Sequence, residues 1–490
     1  MGFDVKVHIM LFNSFEFLIY LPVVFLLYWL VFKHLKIQNL FLVIVSYIFY
    51  GWWETSFLYL IAFTTLCSFF SGILTEKLNN IKAGRGKIAL YANILINLFI
   101  LCVFKYYNFF IDSFIALLHS VGCNVECTWT LNLVLPVGIS FYTFQALSYS
   151  IDVHQKKMPA CKDIVAFFAY ISFFPQLVAG PIERGVNLLP QFYVPRNFNY
   201  AKAVDGCRQI LWGFFKKMVV ADNCALIVND IWNDYANQDG ITLLWGAILF
   251  AFQIYGDFSG YSDIAIGTAR LFGINLMRNF SFPYFSRDIA EFWRKWHISL
   301  TTWFRDYVYI PLGGSRCAKW KVMRNTMIIF LVSGLWHGAN WTFVIWGLYH
   351  ALLFFPLMLF GQNRKHTNIV ANRNLLPSIK EFIQMAITFF LVVIGWIIFR
   401  AENITQAWDY IFRMVAEFHI ASVPYGRKVL LYISVLLIVE WLQRDKQHGL
   451  QITERGIWKY RLVRFSLYYV LVFAILALKG ESETFIYFQF

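Results

Sequence analysis

Apolar and polar stretches alternate along the whole chain. The apolar runs cover 9–32, 39–53, 57–75, 88–118, 131–151, 163–179, 241–256, 325–361, 381–399, 428–442 and 463–478. Crossing the hydrocarbon of a bilayer takes roughly 20 apolar residues in a helix, because backbone polar groups find no water there. The runs approach or exceed that length, so the pattern predicts an all-α, polytopic membrane protein. Runs that are short or interrupted by Pro and Gly are predicted to be re-entrant or tilted helices. The longest polar intervals are 180–208, 278–324, 362–380 and 443–462, and none has the makings of a soluble domain. There is no internal repeat and no low-complexity tract. The chain therefore reads as one integral-membrane domain, 1–490, with N-terminal spans in 1–160, a motif-bearing core in 161–361 and C-terminal spans in 362–490.

Composition supports this class. A mean hydropathy of +0.56 with 20% aromatic and 14% charged residues leaves more apolar surface than one or two soluble cores could hide. The first run carries Glu16 and lacks a small-residue cleavage site, so it reads as a retained transmembrane helix. Basic residues occupy alternate loops. Lys33 and Lys36 follow the first run, 51–55 has no Lys or Arg, and Lys77, Lys82, Arg85 and Lys87 come next. The interval 119–130 again has none, and Lys156, Lys157 and Lys162 follow. The positive-inside rule then puts the N-terminus outside the cytoplasm, provided that 88–118, with Lys105 in its middle, crosses once.

The formal net charge of +14 does not indicate a nucleic-acid partner, since no soluble basic domain with exposed aromatics exists to hold a polyanion. The charge belongs mainly to cytoplasmic loops, where it meets the anionic headgroups of the lipid bilayer. Cysteine usage adds little chemistry. Cys67, Cys102, Cys161, Cys207, Cys224 and Cys317 have no metal-ligand spacing and read as small buried apolar residues. Cys123 and Cys127 share a loop placed outside, where a short disulfide could persist.

The interval 278–324 differs from a linker. Aromatic and charged residues alternate through Glu291-Phe292-Trp293-Arg294-Lys295-Trp296-His297 and Trp303-Phe304-Arg305-Asp306-Tyr307. At helical spacing, Phe292, Trp296, Ser299 and Trp303 share one side while Arg294, Lys295 and Arg305 point elsewhere, as in helices at the interface or lining a wet cavity. Gly313-Gly314-Ser315 is not a phosphate loop, because no Gly-Lys-Ser/Thr follows. Asp257 and Asp263 flank Ser259 and Tyr261 in what reads as a polar break after an apolar run. Lining a cavity and capping a helix start both fit them. His337 stands in Leu335-Trp336-His337-Gly338, inside one of the most apolar stretches, and an ionisable group at that depth points to function.

These elements together carry a resemblance. The stretch 291–307, then Pro311-Leu312-Gly313-Gly314 and Leu335-Trp336-His337-Gly338, is similar to the signature of membrane-bound O-acyltransferases. More narrowly it resembles the bacterial branch that includes the alginate O-acetyltransferase membrane subunit and the D-alanyl transfer protein of teichoic acid modification. Further matching stretches are Phe173–Ile182, Tyr255–Asp263 and the terminal Phe485-Ile486-Tyr487-Phe488-Gln489-Phe490. The resemblance covers nearly the whole chain. It implies a ring of tilted transmembrane, re-entrant and interfacial helices around a central cavity in a bacterial inner membrane. It also implies that His337 is the catalytic residue and that His297 occupies the family's second position.

Acyl transfer from a thioester to a hydroxyl needs a base, and imidazole titrates near working pH. Burial lowers an imidazole pKa and keeps the ring in the neutral form a base requires. His337 is expected to accept the hydroxyl proton, with transient acylation of His337 as the alternative. His297 is expected to orient the acceptor or polarise the carbonyl. His350 would share a face with His337 only if one helix continued through Gly338 and Asn340, and a packing role suits it better. His8, His34, His119, His154, His366, His419 and His448 are expected at the surface.

The resemblance further implies an acetyl donor, either acetyl-CoA or a carrier-protein thioester, with no tightly bound cofactor and no metal. It implies an extracytoplasmic hydrolase-like partner and a polysaccharide acceptor such as alginate. D-alanyl or peptidoglycan acyl transfer are alternatives on the same fold. A transporter is the alternative of a different class, but it should show discontinuous helices in two related halves, and no such correspondence is present.

Overall fold

The computed structural model describes residues 10–123, 129–131, 133–178, 180–372, 374–418, 426–481 and 483–486. Among these, all regular structure is helical. Among the described residues, six helices are long and apolar enough to cross a membrane: Ser56–Ile81, Lys87–Ser120, Gly240–Leu271, Trp341–Leu359, Ile379–Arg400 and Arg461–Leu478. Phe15–Val31 and Leu35–Gly51 are shorter apolar helices. The all-α, multi-pass architecture read from the pattern is therefore what the chain adopts. The chain divides into two compact units, Met1–Lys202 with Ala269–Leu276, and Ala203–Thr268 with Met277–Phe490.

In the first unit, lipid supplies no hydrophobic force between helices, so buried polar side chains tie them together. Ser68 donates to Asn93 Oδ1 at 3.2 Å and Asn93 Nδ2 donates to Ser150 Oγ at 2.8 Å, which links Ser56–Ile81, Lys87–Leu101 and Ile139–His154. The run 88–118 forms one helical rod whose centre, Cys102–Tyr106, is a π turn containing Lys105. The run 163–179 is no span. It forms the short helices Ile164–Ser172 and Phe174–Leu177, interrupted before Pro175 and almost wholly buried. The turn between them is held by Phe174 N–H donating to Ser46 Oγ at 3.0 Å.

The second unit centres on Gly240–Leu271, which continues well past the apolar run 241–256 and is 78% buried over its most apolar window. Asp257 and Asp263 lie inside this helix, so the polar break and helix-start capping expected around them do not occur. Their charges are tolerated mid-helix because lysines from the preceding helical stretch meet them. That stretch, Tyr200–Phe214, Phe215–Ala221 and Asp222–Asn233, was not evident from apolar periodicity.

The run 325–361 is a helical hairpin, Lys319–His337 and Trp341–Leu359, and not one long segment. Gly338 is extended, and the Asn340 side chain caps the second helix by accepting from Thr342 N–H. His337 is thereby the last residue of its helix. The two helices approach closely through Gly334 and Gly347. A Cβ on Gly347 would lie 2.3 Å from the Phe330 carbonyl oxygen, and one on Gly334 would lie 2.2 Å from that of Phe343. Gly347→Ala is expected to push the hairpin apart and cost about 1–3 kcal/mol, measured as a lower unfolding midpoint in detergent. An unchanged midpoint would show that the hairpin is not held at this contact.

The scattered cysteines divide. Cys161 and Cys224 are buried as expected, but Cys102 and Cys207 are exposed. Cys102 lies in a candidate membrane span, where an apolar thiol needs no protein core. Cys127, and with it the short bridge to Cys123, lies outside the described residues.

Candidate active site

The site lies in the second unit, where two non-adjacent segments meet. Residues 279–281 run beside 295–298, joined by Ser281 N–H to the Lys295 carbonyl at 2.9 Å and Ile298 N–H to the Asn279 carbonyl at 2.9 Å. The amphipathic stretch does not continue as one helix. Ile289–Lys295, capped by the Asp288 side chain, ends before Trp296, and Ile298–Phe304 begins after His297. His297 is the hinge, with φ 43° in the left-handed region, where a non-glycine residue is uncommon. Phe292, Trp296, Ser299 and Trp303 are all buried, although they lie on two separate helical pieces, while Arg294 and Arg305 are exposed and Lys295 is partly exposed.

The structure brings His297 and His337 together. Their ring centroids are 6.5 Å apart at 64°, and they are 1% and 4% exposed. Aromatic rings enclose them. Trp336, Trp346 and Phe399 surround His337 with centroids at 4.9, 5.1 and 5.4 Å, and Phe258 meets His297 edge-on at 4.7 Å. A Cβ on Gly338 would lie 2.0 Å from the Phe343 ring, so the residue after His337 must be glycine for that ring to close the cage. His297 lies outside the candidate spans, and burial pushes its pKa well below the ordinary imidazole value. Two imidazoles at this separation can act on one reacting group from two sides.

Behind this hinge, Arg287 forms a fork onto Glu291, with Nε to Oε2 at 3.0 Å and Nη2 to Oε1 at 3.1 Å. Lys295 adds a contact to Glu291 Oε1 at 2.8 Å, and Arg287 also reaches Glu381 at 3.2 Å. Burial by itself raises the Glu291 pKa, but the Arg287 hydrogen bonds and the Lys295 charge outweigh it and leave it below the usual carboxylate value. A depressed carboxyl stabilises the fold above its unfolded pKa and loses that contribution as pH falls through the folded one. Thermal unfolding midpoints in detergent are expected to drop between about pH 5 and pH 3, with a smaller drop in Glu291→Gln. An identical acid response in both proteins would exclude this group as the cause. Beside Arg294 and Lys295 opens a cavity of about 260 Å³, also lined by Glu291, His366, Asn368 and Arg444.

Several functional-looking residues escaped the sequence reading. Lys216 pairs with Asp263 at 2.6 Å, and Lys217 pairs with Asp222 at 2.7 Å and Asp257 at 2.8 Å, with both lysines almost fully buried. Glu440, also buried, accepts from Tyr255 OH at 2.8 Å. The missed signal was Lys216-Lys217 set among Trp212, Phe214, Phe215, Met218, Val219 and Val220, since paired charges in apolar surroundings need partners. Lys216, Asp263, Arg278, Asn279, Glu440 and His448 line a second, much smaller polar cavity.

The remaining histidines fall as follows. His350 is fully buried against Trp293, Trp346 and Tyr349, so it packs as expected, although among the described residues neither ring nitrogen has a hydrogen-bond partner. His448 is not at the surface. It is buried with Nε2 3.2 Å from Asp205 Oδ1, because the polar loop that carries it folds back onto the helix bearing Asp205. His34 and His119 are exposed, while His8, His419 and Tyr487–Phe490 lie outside the described residues.

The model of the membrane-bound O-acyltransferase family matches residues 47–399. A protein of Pseudomonas aeruginosa named probable alginate O-acetylase AlgI is 40% identical over 400 residues, covering 81% of this chain and 74% of that protein. A Helicobacter pylori protein named peptidoglycan O-acetyltransferase is 34% identical over 442 residues, 84% of this chain and 80% of that one. A Bacillus subtilis teichoic acid D-alanyltransferase is 29% identical over 290 residues, 55% of this chain and 70% of that one.

Proposed function

Because the chain belongs to the membrane-bound O-acyltransferase family, we propose that it moves an acetyl group from a cytoplasmic thioester across the inner membrane for O-acetylation of an extracytoplasmic polysaccharide. That it is an O-acyltransferase follows from the family and from relatives named for O-acetylation. The acetyl group and the polysaccharide are our reading, supported by the higher identity and broader coverage of the alginate-type relatives over the D-alanyl ones. The observation that carries it is the buried pair His297 and His337, held in an aromatic cage on a multi-pass scaffold.

On this reading the thioester carbonyl lies beside the pair. The hydroxyl oxygen bonds to the acyl carbon, the C–S bond breaks, and the hydroxyl proton passes through imidazole to the leaving thiolate. Motif position assigns the proton-accepting role to His337. The basic side chains Arg294, Lys295 and Arg444 around the larger cavity suit the phosphates of an acetyl-CoA or carrier-linked donor. The basic loops are assigned to the cytoplasm and the N-terminus to the outside. A separate extracytoplasmic protein is assigned the final delivery to the polymer.

The test is release of CoA from acetyl-CoA by the purified protein supplied with acceptor and partner, beside polymer acetylation in cells. No CoA release, together with intact polymer acetylation in cells carrying His337→Ala, would remove the proposal. Turnover with a carrier-protein thioester but not with acetyl-CoA would correct the donor.

A further inference from the structure

Three neighbouring side chains carry buried polar atoms that nothing satisfies. Among the described residues, Trp293 Nε1, both ring nitrogens of His350 and Trp346 Nε1 have no hydrogen-bond partner. The three form a row. His350 meets Trp293 edge-on at 5.0 Å and Trp346 at 5.1 Å, and Trp346 in turn meets His337 at 5.1 Å. At its other end the row approaches the larger cavity, because Trp293 shares the helix Ile289–Lys295 with Glu291, Arg294 and Lys295 of the cavity wall. It therefore links that cavity to His337.

Packing alone does not require an imidazole at the centre of this row. A phenylalanine in its place would make the same edge-to-face contacts and leave no polar atom unpaired. A neutral imidazole has one N–H that donates and one nitrogen that accepts, and burying both without partners lowers stability. The neighbouring Tyr349 is satisfied, its hydroxyl donating to the Leu391 carbonyl at 2.9 Å. Orphaned atoms are few in native interiors, so a row of them points to a polar group from outside the chain. Gly395 keeps His350 Nε2 clear of any side chain from its helix, since a Cβ there would stand 2.7 Å from that nitrogen.

We propose that Trp293, His350 and Trp346 bind the amides of the pantetheine arm that carries the donor's thioester. This rests on the acyl-transfer reading and names how the donor is held within it. Coenzyme A and carrier proteins present their thioesters on the same arm, an aliphatic chain interrupted by two amides. Each amide offers a carbonyl that accepts and an N–H that donates. The indole N–H groups can only donate, so they meet amide carbonyls, while His350 has a nitrogen for a carbonyl and another for an N–H. The methylene links lie against the rings, as in sites that are mostly apolar with a few placed polar groups. With the donor's phosphates at Arg294, Lys295 and Arg444 and its thioester at His337, the arm follows the row. Its contacts hold the carbonyl in place and leave the proton-accepting role of His337 unchanged.

The test is steady-state kinetics with acetyl donors whose arm is intact or has one amide replaced by two methylenes, in wild type and in His350→Phe. With the intact arm, His350→Phe is expected to raise KM for the donor about 5- to 100-fold, the loss that follows when a buried polar group is left unpaired. With the analogue lacking the amide that His350 holds, the wild type should already show this rise, and the substitution should add less than about twofold. His350→Gln keeps a donor and an acceptor, so it should recover part of the binding. An equal penalty with every donor would assign the imidazole to packing or to bound water and overturn the proposal. A His350→Phe protein that melts well below the wild type would do the same, because the fold would then depend on the nitrogens. Running the series on acetyl-CoA and on an acetyl-carrier protein separates the two sources of the arm. No wild-type turnover with either donor would remove the acyl-transfer reading and the arm assignment together, whereas turnover with equal penalties removes the arm assignment alone.

Discussion

Replacing His337 by alanine is expected to lower acyl transfer about 100- to 10,000-fold, the usual contribution of a positioned acid–base group. The ring is 4% exposed and fills the space between Trp336, Trp346 and Phe399, so its polar atoms serve the cage interior and not solvent. His337→Gln separates chemistry from packing. It keeps much of the volume and a hydrogen-bonding end, yet it cannot take up a proton. Both variants are expected to lose CoA release and polymer acetylation alike, with the glutamine protein melting close to the wild type. Activity within about threefold of wild type in His337→Gln would remove His337 from the reaction.

The largest expected effect on stability comes from Lys217→Ala. The Lys217 side chain is 1% exposed and meets Asp222 at 2.7 Å and Asp257 at 2.8 Å, while donating to the Glu483 carbonyl at 3.0 Å. Removing one partner of a buried ion pair strands the other, which costs about 3–5 kcal/mol. Here two carboxylates would be stranded. The loss should spread to the C-terminal segment, because Asp257 Oδ2 accepts from Ile486 N–H at 2.7 Å. Phe485 packs on Phe258 and Tyr261, and Phe258 in turn meets His297. Lys217→Ala should therefore unfold earlier in denaturant and lose activity together. Adding Asp222→Asn and Asp257→Asn should recover part of the stability. No recovery would mean that the cost lies in packing and not in stranded charge.

How far the chain could be read in advance varied with the kind of feature. Trp336-His337-Gly338 and the aromatic–basic stretch ending at His297 were both legible, since titratable groups in apolar sequence stand out. Asn279 was not, because an asparagine beside a loop looks the same whether it faces water or, as here, the buried His297 ring. Of the two places open to Asp257 and Asp263, a cavity lining and a helix start, the helix start fails, while Asp263 does line the small polar cavity. Their charges suggested a break, and only the opposing Lys216 and Lys217 make an uninterrupted helix affordable there. His448 was misread for a related reason, since a polar loop folded back onto Asp205 is not exposed.

The sequence by itself determined the all-helical, multi-pass class and the family. Length and apolarity of a segment decide whether it can enter a bilayer, and both are local properties. The order of the motifs likewise needs no geometry. Only the tertiary structure decided which helices are short buried pieces, where the hairpin turns at Gly338, and that His297 and His337 face each other. It alone decided which polar groups satisfy one another. In lipid a helix is apolar on every side, so periodicity does not reveal its inward face. The partner of a buried charge or amide comes from a distant segment, and its identity is set by contact and not by spacing along the chain.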